Sequence, residues 1–140
     1  EKRCGWNLLL NSNHTIRRGR DSIVIAGEQN FERPDSANFT RTMRGVGARA
    51  FTIVLQHNPK AWEKYIVKDD RARLTLCGHT HGGQLSLFGF RPTQIEYHQD
   101  DGLYKMANRY LYVSSGLGGL VPFRLGVTPE IVVITLHKAK

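Results

Sequence analysis

The stretch Gly78-His79-Thr80-His81-Gly82-Gly83-Gln84 sets two imidazoles one residue apart among three glycines, and a third histidine, His57, follows an apolar run upstream. Neutral imidazole is a frequent ligand for borderline divalent metals, so three histidines on neighbouring segments point first to a metal site. If residues 79 to 81 run extended, positions i and i+2 project to one side about 6.5 to 7 Å apart at Cα, and Thr80 faces away. That spacing suits a pair of ions about 3.5 to 4 Å apart, with one histidine of the pair on each. The glycines would let the backbone approach the ions and turn away, where a β-carbon would obstruct. An isolated His-x-His is more often a glycine turn with two solvated imidazoles. Here His57 weighs against that reading.

The elements around these residues explain how the three could meet. AFTIVLQ (50–56) reads as a buried strand, KAWEKYIVK (60–68) as a one-sided helix with Trp62, Tyr65 and Ile66 inward, and RLTLC (73–77) as a second buried strand. Strand, helix, strand makes a βαβ unit with parallel strands and a right-handed crossover. The first strand leads into Gln56-His57-Asn58-Pro59, where Asn58 suits a helix N-cap and Pro59 the first helical position. The second leads into Gly78-His79-Thr80-His81. Ligands in open α/β sheets collect outside the carboxyl ends of strands, and neighbouring strands lie only about 4.8 Å apart, so the three imidazoles should converge at one sheet edge.

The flanking segments are read more simply. NLLLN (7–11) and DSIVIAGE (21–28) are expected as strands joined through the Arg-Arg-Gly turn, and residues 37 to 45 as a helix capped by Asp35 or Ser36 and ended by Gly45. TQIEYH (93–98), LYKM (103–106), RYLYVSSG (109–116) and EIVVITLH (130–137) are expected as further strands. The fold class is therefore α/β, a mixed β-sheet with helices packed on it. No internal repeat or linker divides the 140 residues.

Twenty Lys and Arg against twelve Asp and Glu give a formal charge of +8, which attracts phosphates, nucleic acid or an anionic membrane surface alike. The densest basic run, residues 17 to 20, lies between two strands without interleaved aromatics and reads as a hairpin turn, and no nucleic acid is expected as partner. Cys4 and Cys77 indicate neither a disulfide framework nor a cysteine-rich zinc site. No apolar run approaches the roughly 20 residues that cross a bilayer. The sequence starts at Glu1 without a signal-peptide pattern, and the natural start is expected upstream, which leaves targeting open between a cytoplasmic and a membrane-associated protein.

Three neutral histidines are an incomplete site for two cations. A hydrolytic dinuclear centre also needs carboxylates, usually one that bridges the ions, and a group to protonate the leaving oxygen. Glu28 and Glu32 follow a different strand, Asp69 and Asp70 lie at the far end of the helix, and Asp100 and Asp101 read as a turn. None is placed for the task.

At this point GHTHGGQ (78–84), preceded by a strand that ends at His57, resembles the C-terminal half of the calcineurin-like metallophosphoesterases, whose motif series is DxH, GDxxD, GNHD or GNHE, a single His, then GHxH. The closing YLYVSSGLGGLVPFRLGVTPEIVVITL (110–136) and NLLLNSN near the start are similar to the bacterial phosphodiesterase branch that carries GHTHGGQ. The resemblance covers nearly the whole chain. The first three motifs are absent, and the one Asn-His pair, Asn13-His14, lacks the preceding Gly and the following acid. The resemblance implies that residues 1–140 are a partial domain, the second half of an α/β/β/α sandwich.

It also implies roles. His57 and His79 would ligate one metal and His81 the other, in a centre of two divalent ions (manganese, zinc or iron) that hydrolyses a phosphate ester through a metal-bridged hydroxide. The bridging aspartate, the metal-binding asparagine and the general-acid histidine would lie upstream, so no catalytic residue is expected within this chain, and the isolated chain is expected to be inactive. Its partners would be the phosphate-ester substrate and the missing half of the domain. Apolar surface left by that half would favour self-association. Two other readings remain: a non-catalytic basic α/β interaction module, and a nucleic-acid-binding domain, which the missing motifs disfavour.

His14, His98 and His137 read as solvated. Gly116-Leu117-Gly118-Gly119 reads as a turn in preference to a phosphate nest, and Arg124 as either a phosphate clamp or a structural partner of Glu130.

Overall fold

A computed structural model of the chain describes residues 4–31 and 36–138. Asp35, one of the two expected helix caps, and Glu32 lie outside the described residues. Six strands, β1 (Ser12–Arg18), β2 (Asp21–Gly27), β3 (Thr52–Leu55), β4 (Ala72–Cys77), β5 (Gly102–Met106) and β6 (Arg109–Val113), form one mixed sheet in the order β1-β2-β3-β4-β6-β5. The inner strands β2, β3, β4 and β6 run parallel, and β1 and β5 are antiparallel edges.

The βαβ unit is the part that positions the site. β3 and β4 pair in parallel with Ile53 opposite Leu74 and Leu55 opposite Leu76, as the two apolar runs suggest. Between them lie α2 (Lys60–Lys64) and a 3-10 turn, Ile66–Lys68. The expected single helix over 60 to 68 is broken at Tyr65, whose φ of −148° leaves the helical region. Trp62, Ile66 and Val67 nonetheless all point inward and pack with Val24, Ala26, Val54, Leu111 and Val113 of the strands. Burial of each such side chain is worth about 1.5–3 kcal/mol, enough to fix the segment on the sheet despite its short helices.

Four expectations need correction. NLLLN is not a strand, because the two-residue turn at Gly19-Arg20 pairs Ser12–Arg18 with Asp21–Gly27 and leaves residues 7 to 11 beyond the hairpin. Leu9 instead crosses the end of β2, where a β-carbon on Gly27 would come within 2.5 Å of Leu9 Cβ. The first helix, α1 (Phe39–Thr42), is shorter than expected, since Asn38 caps it by accepting from Arg41 N at 2.8 Å. TQIEYH is a 3-10 turn at Pro92–Ile95, with Pro92 at the first helical position where its fixed φ suits a helix start and not a central strand. EIVVITLH pairs with no strand among the described residues, and Ile131 and Val133 are 78% and 86% exposed. Its run is apolar on both faces, the pattern of a strand covered on both sides, and such cover is lacking among the described residues.

No helix among the described residues is long and apolar enough to cross a membrane.

Candidate metal centre

The carboxyl ends of β3 and β4 deliver His57 and His79 side by side. Backbone pairing continues past both strands, with Gln56 N donating to Leu76 O at 3.1 Å and Gly78 N to His57 O at 3.1 Å. Asn58 Oδ1 accepts from Lys60 N at 2.9 Å, so its side chain caps the following helix and pins the residue next to His57.

The consequence is an imidazole pair. His79 Nδ1 lies 3.1 Å from His57 Nε2, with the rings edge to face at a centroid distance of 4.9 Å. Two nitrogens bound to one ion at about 2.0–2.1 Å are separated by a distance of this order, so the pair fits two corners of one metal site. His81 lines the same cleft, of about 420 Å³, together with His57, His79, Thr80, Thr93, Tyr97 and Leu120. The three histidines predicted from sequence therefore share one space. They do not form a ready three-ligand cluster: no group of three or more His, Cys, Asp and Glu close enough to hold an ion occurs among the described residues.

The motif backbone is not the extended segment that the spacing suggests. Thr80 is helical at φ −73°, while His79, His81 and Gln84 take φ of 75°, 52° and 55°. A left-handed conformation at a residue with a β-carbon costs about 1–3 kcal/mol and persists only where surrounding contacts enforce it. Those contacts are on hand. Thr80 is buried, not turned to solvent, and its hydroxyl donates to Asp100 O at 2.5 Å. Gly83 N closes on Thr80 O at 2.8 Å. A β-carbon on Gly82 would meet Val127 Cγ1 at 2.7 Å and would sit on a backbone at φ 60°, so glycine is favoured there.

Two further side chains staple this loop to residues 115–125, and neither is a ligand. Gln84 Nε2 donates to Val121 O and Phe123 O, each at 2.8 Å, while its Oε1 accepts from Leu120 N and from Val121 N at 3.2 Å. Arg124 donates to His81 O at 3.2 Å, Ser115 O at 2.7 Å, Gly116 O at 3.1 Å and Gly118 O. Its guanidinium is thus occupied by carbonyls, and Glu130 instead accepts from Ser115 N at 3.1 Å and Tyr112 Oη at 3.2 Å. The Arg124–Glu130 pair is therefore not formed. Gly116–Gly119 form part of the loop that these bonds hold.

The acidic residues stay out of the cleft. Asp100 is buried and held by Arg91 through two bonds of 2.6 and 2.9 Å. Burial pushes its carboxyl up, but the bonds from Arg91 and Thr93 outweigh this and hold it below the usual carboxylate range. Glu28 is buried beneath the sheet end, accepting from Gln56 Nε2 at 2.7 Å and Tyr65 Oη at 2.9 Å. Sequence reasoning missed Tyr97, whose hydroxyl lies 2.8 Å from His79 Nε2. It stands 18 residues from His79 in a segment read as a strand, and only the turn after Pro92 brings it back. His14 and His137 are exposed as expected, while exposed His98 lies 3.0 Å from Glu63.

No family model and no solved structure matches the chain. Curated relatives do. The chain is 33% identical over 121 residues to an uncharacterized metallophosphoesterase of Aquifex aeolicus, covering 81% of this chain and 45% of the relative. It is 39% identical over 88 residues to the phosphodiesterase YaeI of Escherichia coli, covering 60% of this chain and 32% of that protein. It is 35% identical over 103 residues to the uncharacterized metallophosphoesterase YkuE of Bacillus subtilis, covering 71% and 35%. The chain spans less than half the length of these relatives. Together with an α/β sheet that carries GHTHGGQ at the carboxyl end of a central strand, these likenesses make the chain a homologue of proteins named metallophosphoesterase or phosphodiesterase.

Proposed function

We propose that the chain is the C-terminal portion of a dinuclear metal-dependent phosphoesterase that acts on a phosphodiester, with His57 and His79 as ligands of one divalent ion and His81 of the other. The observation that supports this is the 3.1 Å approach of two ring nitrogens from the ends of adjacent parallel strands. Divalent ions at such a centre supply Lewis acidity towards a phosphoryl oxygen and towards water. The residues of this chain do the remaining work. His57 and His79 present ring nitrogens, Gly82 keeps the loop floor free of a side chain, and Gln84 and Arg124 hold the wall that carries Leu120 against the cleft. No residue on this wall protonates a leaving group. In this proposal that role and the bridging carboxylate come from outside the 140 residues.

The test is hydrolysis of bis(p-nitrophenyl) phosphate with added manganese, by the full-length gene product and by the 140-residue chain, each with a His79→Ala counterpart. Turnover is expected in the longer protein, lost in its variant, and absent from the chain alone. Turnover by the chain that survives His79→Ala would assign the chemistry to other groups. Absence of turnover and of metal binding in the longer protein would favour a basic interaction module.

A further inference from the structure

We infer that Tyr97 is a positioning residue for the metal ligand His79, setting which ring nitrogen of that histidine faces the ion. The inference rests on the metal-site reading above. His79 stands between two partners: Nδ1 faces His57 Nε2 at 3.1 Å, and Nε2 faces Tyr97 Oη at 2.8 Å. The nitrogen that shares space with His57 is Nδ1, so Nδ1 must offer its lone pair if both histidines serve one ion. A neutral imidazole then carries its proton on Nε2, and that proton needs an acceptor. Tyr97 Oη is that acceptor. Ligating histidines commonly donate their second nitrogen to an outer partner, which fixes ring orientation and makes the bound nitrogen a better donor.

The hydroxyl is itself held in place. Tyr97 is 9% exposed, and its backbone N donates to Thr93 O at 2.8 Å at the end of the Pro92–Ile95 turn. Lys60 Nζ sits 4.4 Å over the ring centroid, and the Tyr97 ring meets His79 edge-on with centroids 5.5 Å apart. Lys60 follows His57 by three residues, at the start of α2. The element that carries one ligand therefore also braces the partner of the other. A phenol fixed on three sides points its oxygen at one place, and little ordering entropy remains to be lost when the histidine binds.

The experiment titrates the full-length gene product with cobalt(II) against a competing chelator and follows the ligand-field absorption, for the parent, Tyr97→Phe, His79→Ala and His57→Ala. In parallel, 15N-histidine spectra of the zinc-loaded parent identify the bound nitrogen of His79. Tyr97→Phe removes one oxygen and is expected to weaken cobalt binding about 10- to 100-fold with an altered absorption spectrum, while far-ultraviolet dichroism is unchanged. The parent spectrum is expected to show zinc on Nδ1 and a proton on Nε2. Unchanged affinity in Tyr97→Phe alongside lost binding in His79→Ala would overturn this inference and leave the metal site standing. Unchanged affinity in His79→Ala and His57→Ala would overturn the metal site itself. If Tyr97→Phe fails to fold, the spectrum of the parent still decides, because zinc on Nε2 overturns the inference without any variant.

Discussion

Gln56 and His57 are adjacent in sequence and lead opposite lives. Gln56 turns under the sheet end, 3% exposed, and its amide donates to Glu28 Oε2 at 2.7 Å and Gln29 O at 3.1 Å while its oxygen accepts from Asn58 N at 3.3 Å. His57 turns outward, is exposed, and faces His79 across the cleft. The alternation of a strand end sends one polar residue into a closed network and the next into an open one. The closed network trades desolvation for hydrogen bonds and serves stability. The open one keeps nitrogens near solvent, beside a backbone held in left-handed conformations, where ligands can reach them. Polar residues at the carboxyl end of a parallel sheet thus divide by face and not by chemistry.

Substitutions at the two residues should separate these roles. The largest effect is expected in metal affinity: His57→Ala or His79→Ala should weaken binding by at least about 100-fold, measured by cobalt titration, with thermal unfolding nearly unchanged. Gln56→Ala should do the reverse. Removal of its amide leaves Glu28 and Asn58 N short of partners and costs about 1–3 kcal/mol in urea unfolding, with little change in metal affinity. A large affinity loss in Gln56→Ala would show that the two faces are coupled.

The smallest effect is a slope. Burial raises the Glu28 carboxyl from its ordinary value of 4.5, against the lowering influence of the bonds from Gln56 and Tyr65. A carboxyl whose value is raised by folding binds its proton more tightly in the folded state, so its contribution is present below about 4.5 and is lost as pH rises through the folded value. Unfolding free energy should therefore fall across that window. Glu28→Gln should flatten it, as read from urea midpoints measured between pH 4 and 8, and an unaltered slope would remove Glu28 as the cause.

The legibility of the chain follows the same division. The βαβ unit could be read because its signals are local: two apolar strand runs, Asn58-Pro59 at a helix start, and Trp62 and Ile66 one turn apart. His57, His79 and His81 could be placed together from strand polarity alone. The loop conformation could not, because His-x-His is compatible with an extended segment and with a turn, and Thr80 is drawn inward by Asp100, twenty residues away. NLLLN was opaque for a related reason. Its composition favours a strand, but a two-residue turn set the register of the neighbouring hairpin first. Gln84 reaches Val121, Arg124 reaches His81 and Tyr97 reaches His79 across 37, 43 and 18 residues, which no local pattern encodes.

Cys77 closes β4 two residues before His79, is 7% exposed and belongs to the core cluster, whereas Cys4 is exposed. The chain therefore carries its own opening reporter. A thiol reagent at neutral pH should modify Cys4 at once and reach Cys77 only when the carboxyl end of β4 transiently detaches, since a buried thiol is inert. The Cys77 modification rate then measures how often the strand that presents His79 comes apart. A metal that binds the closed form should slow that rate in proportion to its occupancy, while Cys4 goes on reacting as before.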